Sequence, residues 1–203
     1  MILTRHYNPS SNTFLTLGIT VTNKLDNAVR VQLSNKNGLV LELSREALSS
    51  LFSIETKQHM KSYFEKKDDR TLPIRLDAEL ELLFVKIYET SGLSIRNKEK
   101  LQISFYENTA DRLCNLKPAI DCYIQELDEQ LESVRNKTRK VKTIFENYYF
   151  TSIHDNKIVR KIFKYGDFVP TDIVQIELIG ICAKIFIGAI DQEKRNEVVD
   201  VEE

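Results

Sequence analysis

Two stretches of the chain carry the same apolar rhythm at a fixed distance, and this restricts the fold more than any other feature. Val31, Leu33, Leu39, Leu41, Leu43 and Leu51 recur 62 residues later as Leu93, Ile95, Leu101, Ile103, Phe105 and Leu113. Within each set the apolar residues first alternate with polar ones, the period of a half-buried strand, and then adopt helical spacing. Two readings stand at this point. Either the chain contains an internal repeat, or two unrelated amphipathic strand-strand-helix units fall into step, since few residues are identical across the pairs.

The first unit begins with Phe14 to Thr22 (FLTLGITVT) and Ala28 to Leu33 (AVRVQL), two alternating runs separated by the polar Asn23 to Asn27. They read as an antiparallel hairpin with one face in a core. Asn37-Gly38 predicts a two-residue hairpin turn with positive φ at both positions, leading into a strand with Leu39, Leu41 and Leu43 on one face. Ser44 then sits where a helix N-cap belongs, ahead of Leu48, Leu51, Phe52, Met60 and Phe64 at helical spacing.

After the polar linker Glu65 to Thr71, strands are predicted over Leu80 to Glu89, over Leu93 to Arg96 and around Leu101, Ile103 and Phe105. A helix follows over Glu107 to Leu116. From Pro118 to Phe150 the residues Ile120, Tyr123, Leu127, Leu131, Val134, Thr138, Val141, Phe145 and Tyr148 recur at alternating steps near three and four. That spacing describes one long helix with a narrow apolar stripe that calls for a partner. The first half of this helix is acidic and the second basic; from Arg135 to Lys164 there are nine Lys or Arg against only Glu146 and Asp155.

The last apolar stretch, Ile173 to Ile190, resembles a membrane span in length. Glu177 and Lys184 lie inside it, and each costs roughly 2.5 to 3.5 kcal/mol at a bilayer centre. A buried C-terminal helix starting after Pro170 is the better reading, with a strand through Val174, Ile176 and Leu178 as the alternative. The tail from Glu193 onward is acidic and is expected to be mobile. The fold class read from these patterns is α+β, with two β-β-β(-β)-α units of antiparallel sheet followed by a long helix and an apolar C-terminal helix. The expected divisions are 1–66, 72–150, 151–192 and the tail 193–203.

Composition removes function classes rather than naming one. Twenty-nine Lys and Arg balance 30 Asp and Glu, so no overall field attracts polyanions and any nucleic-acid contact must rest on a local patch. Cys114, Cys122 and Cys182 form no CxxC pair, and with no secretory leader pattern at Met1 to Asn12 an intracellular, reducing location is expected. His6, His59 and His154 are isolated, so no metal site is expected. No phosphate-cradling glycine motif or nucleophile elbow occurs, and neither catalytic residues nor a cofactor are expected.

A surface on the sheets is the remaining candidate. With Val29, Val31 and Leu33 inward, Arg30, Gln32 and Ser34 face out, and in the second unit Ser94 and Arg96 are expected to do the same beside Lys86 and Tyr88. Lys24, Lys36, Lys98 and Lys100 lie in adjoining turns. Such a face offers cations to a phosphate backbone and Tyr88 or Tyr106 to an unstacked base. Equally, polar residues on the solvent face of an antiparallel sheet need no ligand to account for them.

The run from Gly38 to Leu51 (GLVLELSREALSSL), a last strand passing through a short cap into an amphipathic helix, resembles the positive-cofactor-four type of transcriptional coactivator domain. Together with the related Whirly proteins, that family pairs or duplicates β-β-β-β-α units whose sheets hold single-stranded DNA. The resemblance spans about residues 12 to 135 and implies an internal pseudo-dimer with Arg30, Gln32, Lys36, Arg96 and Lys98 lining a single-strand surface. The chain departs from the family at Ala47, where a Trp is frequent, and in its near-neutral charge; residues 150–203 have no counterpart. Two function classes follow: a protein that binds single-stranded DNA or RNA, and a non-enzymatic assembly or adaptor protein that self-associates, as a homodimer, through its long C-terminal helices.

Overall fold

Alternation, turn chemistry and one serine cap assemble the chain into two four-stranded antiparallel sheets, each followed by helices. The computed structural model describes residues 1–22, 27–66, 71–147, 173 and 175–185. The first sheet has the order β1 (Ile2–Ser10), β2 (Thr13–Val21), β3 (Asn27–Asn35), β4 (Val40–Leu43). Helices α1 (Arg45–Leu51) and α2 (Ile54–Lys66) follow it. The second sheet has the order β5 (Ile74–Arg75), β6 (Leu80–Ile87), β7 (Thr90–Asn97), β8 (Gln102–Tyr106), and α3 (Glu107–Asn115) and α4 (Lys117–Asn147) come after it. Residues 175–185 form a further helix, α5, with residue 173 also helical. The mixed α+β class is therefore as read from the sequence.

The repeat at a spacing of 62 is exact in the ladders. Val31 pairs with Leu43 and Leu33 with Leu41; 62 residues on, Leu93 pairs with Phe105 and Ile95 with Ile103. The turns repeat as well. Gly38 N donates to Asn35 O at 3.0 Å and Asn35 N to Leu39 O at 3.0 Å; Lys100 N donates to Asn97 O and Asn97 N to Leu101 O at the same distances. Each turn is thus a three-residue loop closed by a residue in the left-handed region, Gly38 (φ 82°) and Lys100 (φ 66°). The expected two-residue turn at Asn37-Gly38 is corrected by this, because only Gly38 has positive φ. A true two-residue loop lies instead at Tyr88 and Glu89 (φ 48° and 66°), between the paired Ile87 and Thr90.

Three differences from the sequence reading have physical causes. β1 has no counterpart in the sequence prediction, since only Ile2 and Pro9 of its nine residues are buried and burial does not alternate along it. The helix drawn from Ser44 through Phe64 is two helices: Ser53 Oγ accepts from Thr56 N at 3.1 Å and starts α2 anew. β5 has two residues, too few for any period to register. The linker residues 67–70, and everything expected of residues 148–172 and 186–203, including the mobile tail, lie outside the described residues.

Helices of one repeat serve the sheet of the other. The Tyr63 ring of α2 meets Phe84 of β6 edge-on at 5.0 Å, and its hydroxyl donates to Val85 O at 2.7 Å. In return, Arg112 of α3 donates to Pro9 O of β1 at 3.3 Å, and the Arg5 guanidinium of β1 lies 3.9 Å from the Tyr123 ring centre of α4. Residues 4–18 and 30–125 accordingly form one compact unit containing most of both repeats; residues 1–3, 19–29 and 126–203 form the other. These units cut across the divisions at 66 and 150 drawn from sequence. The apolar stripe of α4 is covered within a single chain: Ile120, Leu127 and Val141 are fully buried, and Val134, Thr138, Ile144 and Phe145 nearly so.

Ser44 joins the repeats directly. Its Oγ accepts from Ala47 N at 2.9 Å as the α1 cap and donates to Asp77 Oδ2 beyond β5. Asp77 Oδ1 accepts from Glu79 N at 2.8 Å and Leu80 N at 2.7 Å. Burial alone would raise the Asp77 pKa. The bonds from Ser44, Glu79 and Leu80 and the charge of Arg75 outweigh it, so the carboxyl is held below its ordinary value of 3.8. A lowered folded-state pKa means that the carboxylate stabilises the fold above the unfolded value and that this contribution fades as pH falls through the folded value. Asp77→Asn is therefore expected to lower unfolding stability at pH 7 by about 1 to 2 kcal/mol. The gap between the variant and the parent should close in denaturant titrations run below the parent's Asp77 pKa.

Candidate nucleic-acid interface

Strand parity decides which of the expected contact residues can share a surface. In the first sheet Arg30, Gln32 and Ser34 alternate with the buried Val31 and Leu33, so they share the outward face, with Glu42 opposite Gln32 on β4. In the second sheet Arg96 pairs with Glu81 on one side and Gln102 on the other, and Tyr106, opposite Gly92, belongs to the same face. Lys86 does not. Its partner is Ser91, five positions from Arg96 along β7, and it shares its side of the sheet with Leu82 and Phe84. Tyr88 does not either: it sits in the two-residue loop, 94% exposed, on neither face. Ser94, expected to be outward and open, is fully buried, its Oγ 3.1 Å from Ser104 Oγ. Beside it on that face are Leu83, Val85 and Gly92, so the middle of the second sheet is apolar rather than cationic.

The turns carry the other expected cations. Lys36 and Lys98 occupy equivalent first positions in the two three-residue loops, and Lys100 takes the position of Gly38. Lys24 lies outside the described residues.

Three of these cations are held by acids. Arg96 places Nε at 2.8 Å and Nη2 at 2.6 Å from Glu81 Oε1 across the β6–β7 ladder. Arg30 is bonded to Glu42, and Lys98 Nζ lies 2.8 Å from Glu79 Oε1. Arg30 and Lys98, one from each repeat, do converge on one cleft of about 370 Å³. Glu42, Asp77, Glu79 and Glu99 line it with them, so acids outnumber bases and the cleft repels phosphate. Glu42, Glu79 and Glu81 are not among the residues that the sequence predicts for this surface. The ladder register would have revealed two of them, since it sets Glu42 against Gln32 and Glu81 against Arg96.

The second half of α4 is different. From Ser133 to Phe145 there is no acid, and Arg135, Arg139, Lys140 and Lys142 are exposed. Arg135, Arg139 and Lys142 fall at steps of four and three on one side of the helix, a stripe about 10 Å long at 1.5 Å per residue. Glu132 at the head of the stripe approaches Arg135 at 3.8 Å and Arg139 at 3.5 Å. Within the helix, Glu132 is thus shared by two of the cations in this run. The remainder of the basic segment seen in the sequence, residues 148–164, lies outside the described residues.

Little else in the described residues is reactive. Burial pushes the Cys182 thiol up to about 12. Burial also raises Cys114, with Asp111 adding to the rise and Lys57 opposing it. None of Cys114, Cys122 and Cys182 is in a disulfide. His6 Nδ1 lies 3.0 Å from Thr16 Oγ1, and no group of three or more His, Cys, Asp or Glu among the described residues is arranged to hold a metal ion. No described helix is long and apolar enough to cross a membrane.

The Tyr88-Glu89 loop leads to a direct test of this geometry. Two non-glycine residues with positive φ cost of order 1 kcal/mol each, and Asn-Gly is the pair suited to such a loop. Tyr88→Asn together with Glu89→Gly is expected to raise unfolding stability by about 1 kcal/mol, measured by thermal or denaturant unfolding. No protein family, curated protein or solved structure matches this chain.

Proposed function

We propose that the chain binds single-stranded nucleic acid, with the basic face of α4 as the main phosphate-contacting surface and the two sheets as the scaffold that presents it. The observation that carries this reading is the acid-free run from Ser133 to Phe145 with four exposed cations. Phosphate contact is favoured by a local excess of cations: from Glu132 to Phe145 five Lys or Arg stand against one acid, whereas Arg30, Arg96 and Lys98 are each matched by a glutamate. The single-strand preference rests on the resemblance to the positive-cofactor-four and Whirly families. The twofold occurrence of four antiparallel strands followed by helices supports it, as does Tyr106, 43% exposed at the sheet edge where a base could stack. Free cysteines fit an intracellular, reducing location. No chemistry is assigned to the chain, and the proposal is of a binding protein rather than an enzyme.

An assembly role through the α4 stripe is less well supported, because that stripe is already covered within one chain. Self-association would have to use another surface.

A salt-series titration with a labelled single-stranded oligonucleotide tests the reading. The triple variant Arg139→Ala, Lys140→Ala, Lys142→Ala is expected to bind more weakly and to lose roughly 0.7 in the log–log salt slope per phosphate contact removed, about 2 in all. Arg30→Ala with Arg96→Ala should leave the slope almost unchanged. If the parent fails to bind single strands at low salt, or the triple variant matches it, the reading is wrong.

A further inference from the structure

α5 has two faces, and among the described residues only one is covered. Gln175, Leu178, Ile179, Cys182 and Ala183 are buried on one side. The other side carries Ile173, Ile176, Glu177, Gly180 and Lys184, at steps of three, one, three and four, all exposed. Ile173 is 71% and Ile176 45% exposed, although the helix already has a complete apolar side. Apolar groups left in water beside a finished core mark a contact surface. The space beside Gly180 is open: a Cβ there would meet nothing within 4 Å, so another helix can approach closely. Glu177 and Lys184 stand seven residues apart, about 10 Å along the axis, too far to pair within their own helix.

We propose that this face of α5 is a homodimer contact, occupied by α5 of a second copy packed antiparallel across a twofold axis beside Gly180. With the axis between positions 180 and 181, Glu177 of each chain lies opposite Lys184 of the other, giving two reciprocal ion pairs around a small residue at the crossing. The charge pattern selects this occupant. A parallel copy would set Glu177 against Glu177 and Lys184 against Lys184, whereas the antiparallel twofold is self-complementary. One short helix buries less than the roughly 800 Å² per partner of a standard interface, so the association is weak and concentration-dependent. It is independent of the nucleic-acid reading, which concerns α4.

Sedimentation equilibrium of the full chain, from low micromolar to near-millimolar concentration, tests it. The parent's mass is expected to rise from one chain towards two. Glu177→Lys and Lys184→Glu, each at an exposed position, place like charges opposite one another and should weaken association by about tenfold or more. The double swap, carrying both changes, restores opposite charges across the axis and should associate as the parent does. A parent that stays monomeric throughout, single variants that associate like the parent, or a double swap as weak as the singles would each overturn the proposal.

Discussion

Register in the β3–β4 and β7–β8 hairpins governs what every other part of the molecule can present. A slip of one residue would turn Val31, Leu33, Leu41 and Leu43 out to solvent and bring Arg30, Gln32 and Glu42 into the core. Asn35 and Asn97 oppose such a slip. Asn35 Oδ1 accepts from the backbone of Asn37 at 3.0 Å and Leu39 at 3.1 Å, and Asn97 Oδ1 accepts from Leu101 at 2.9 Å. Each side chain thus satisfies loop N–H groups that would otherwise need water, and it does so only in a three-residue loop. With both loops fixed, the apolar sets 62 residues apart arrive at equivalent places, and helices from each repeat can cover the other's sheet.

The same register explains why the sheet arginines Arg30 and Arg96 are matched by acids. Cross-strand neighbours stand close enough for side chains to pair, and at Arg96 the ladder supplies Glu81 directly opposite. Exposed pairs of this kind contribute only about 0 to 1 kcal/mol to stability. Their larger effect is on the field: a guanidinium beside a carboxylate presents almost no net charge beyond a Debye length of roughly 8 to 10 Å. On α4 the balance differs, because from Glu132 to Phe145 the sequence sets five Lys or Arg against a single acid.

The sequence made the alternating strands, the Ser44 cap, the 62-residue spacing and the long helix legible because each rests on a local period or a single side chain's chemistry. β1 was hidden for the opposite reason. An edge strand with little buried surface is stabilised by its ladder and by contacts such as Arg5 with Tyr123, far away in the chain. The site was less legible than the fold. Alternation places Arg30 and Gln32 outward, but it breaks at Tyr88-Glu89, where the chain turns, and Lys86 lies on the other side of its sheet from Arg96 because the register sets it opposite Ser91. Pairing partners such as Glu79 for Lys98 come from loops, and no period in either segment announces them.

α4 and α5 put amphipathicity to opposite uses. Both bury one face completely, so both are held by packing and not by propensity alone. The face that α4 leaves open is rich in cations, the composition on which the proposed phosphate contact rests. The face that α5 leaves open combines isoleucines with one acid and one base, a pattern with little affinity for phosphate and a built-in complement in its own copy. Two chains joined through α5 would carry two α4 stripes, so a strand long enough to reach both would be held at an effective concentration set by their separation rather than by bulk protein. Weak self-association and modest single-site affinity would then reinforce one another: the strand favours the dimer by binding it at two sites, and by linkage the dimer favours the strand to the same degree.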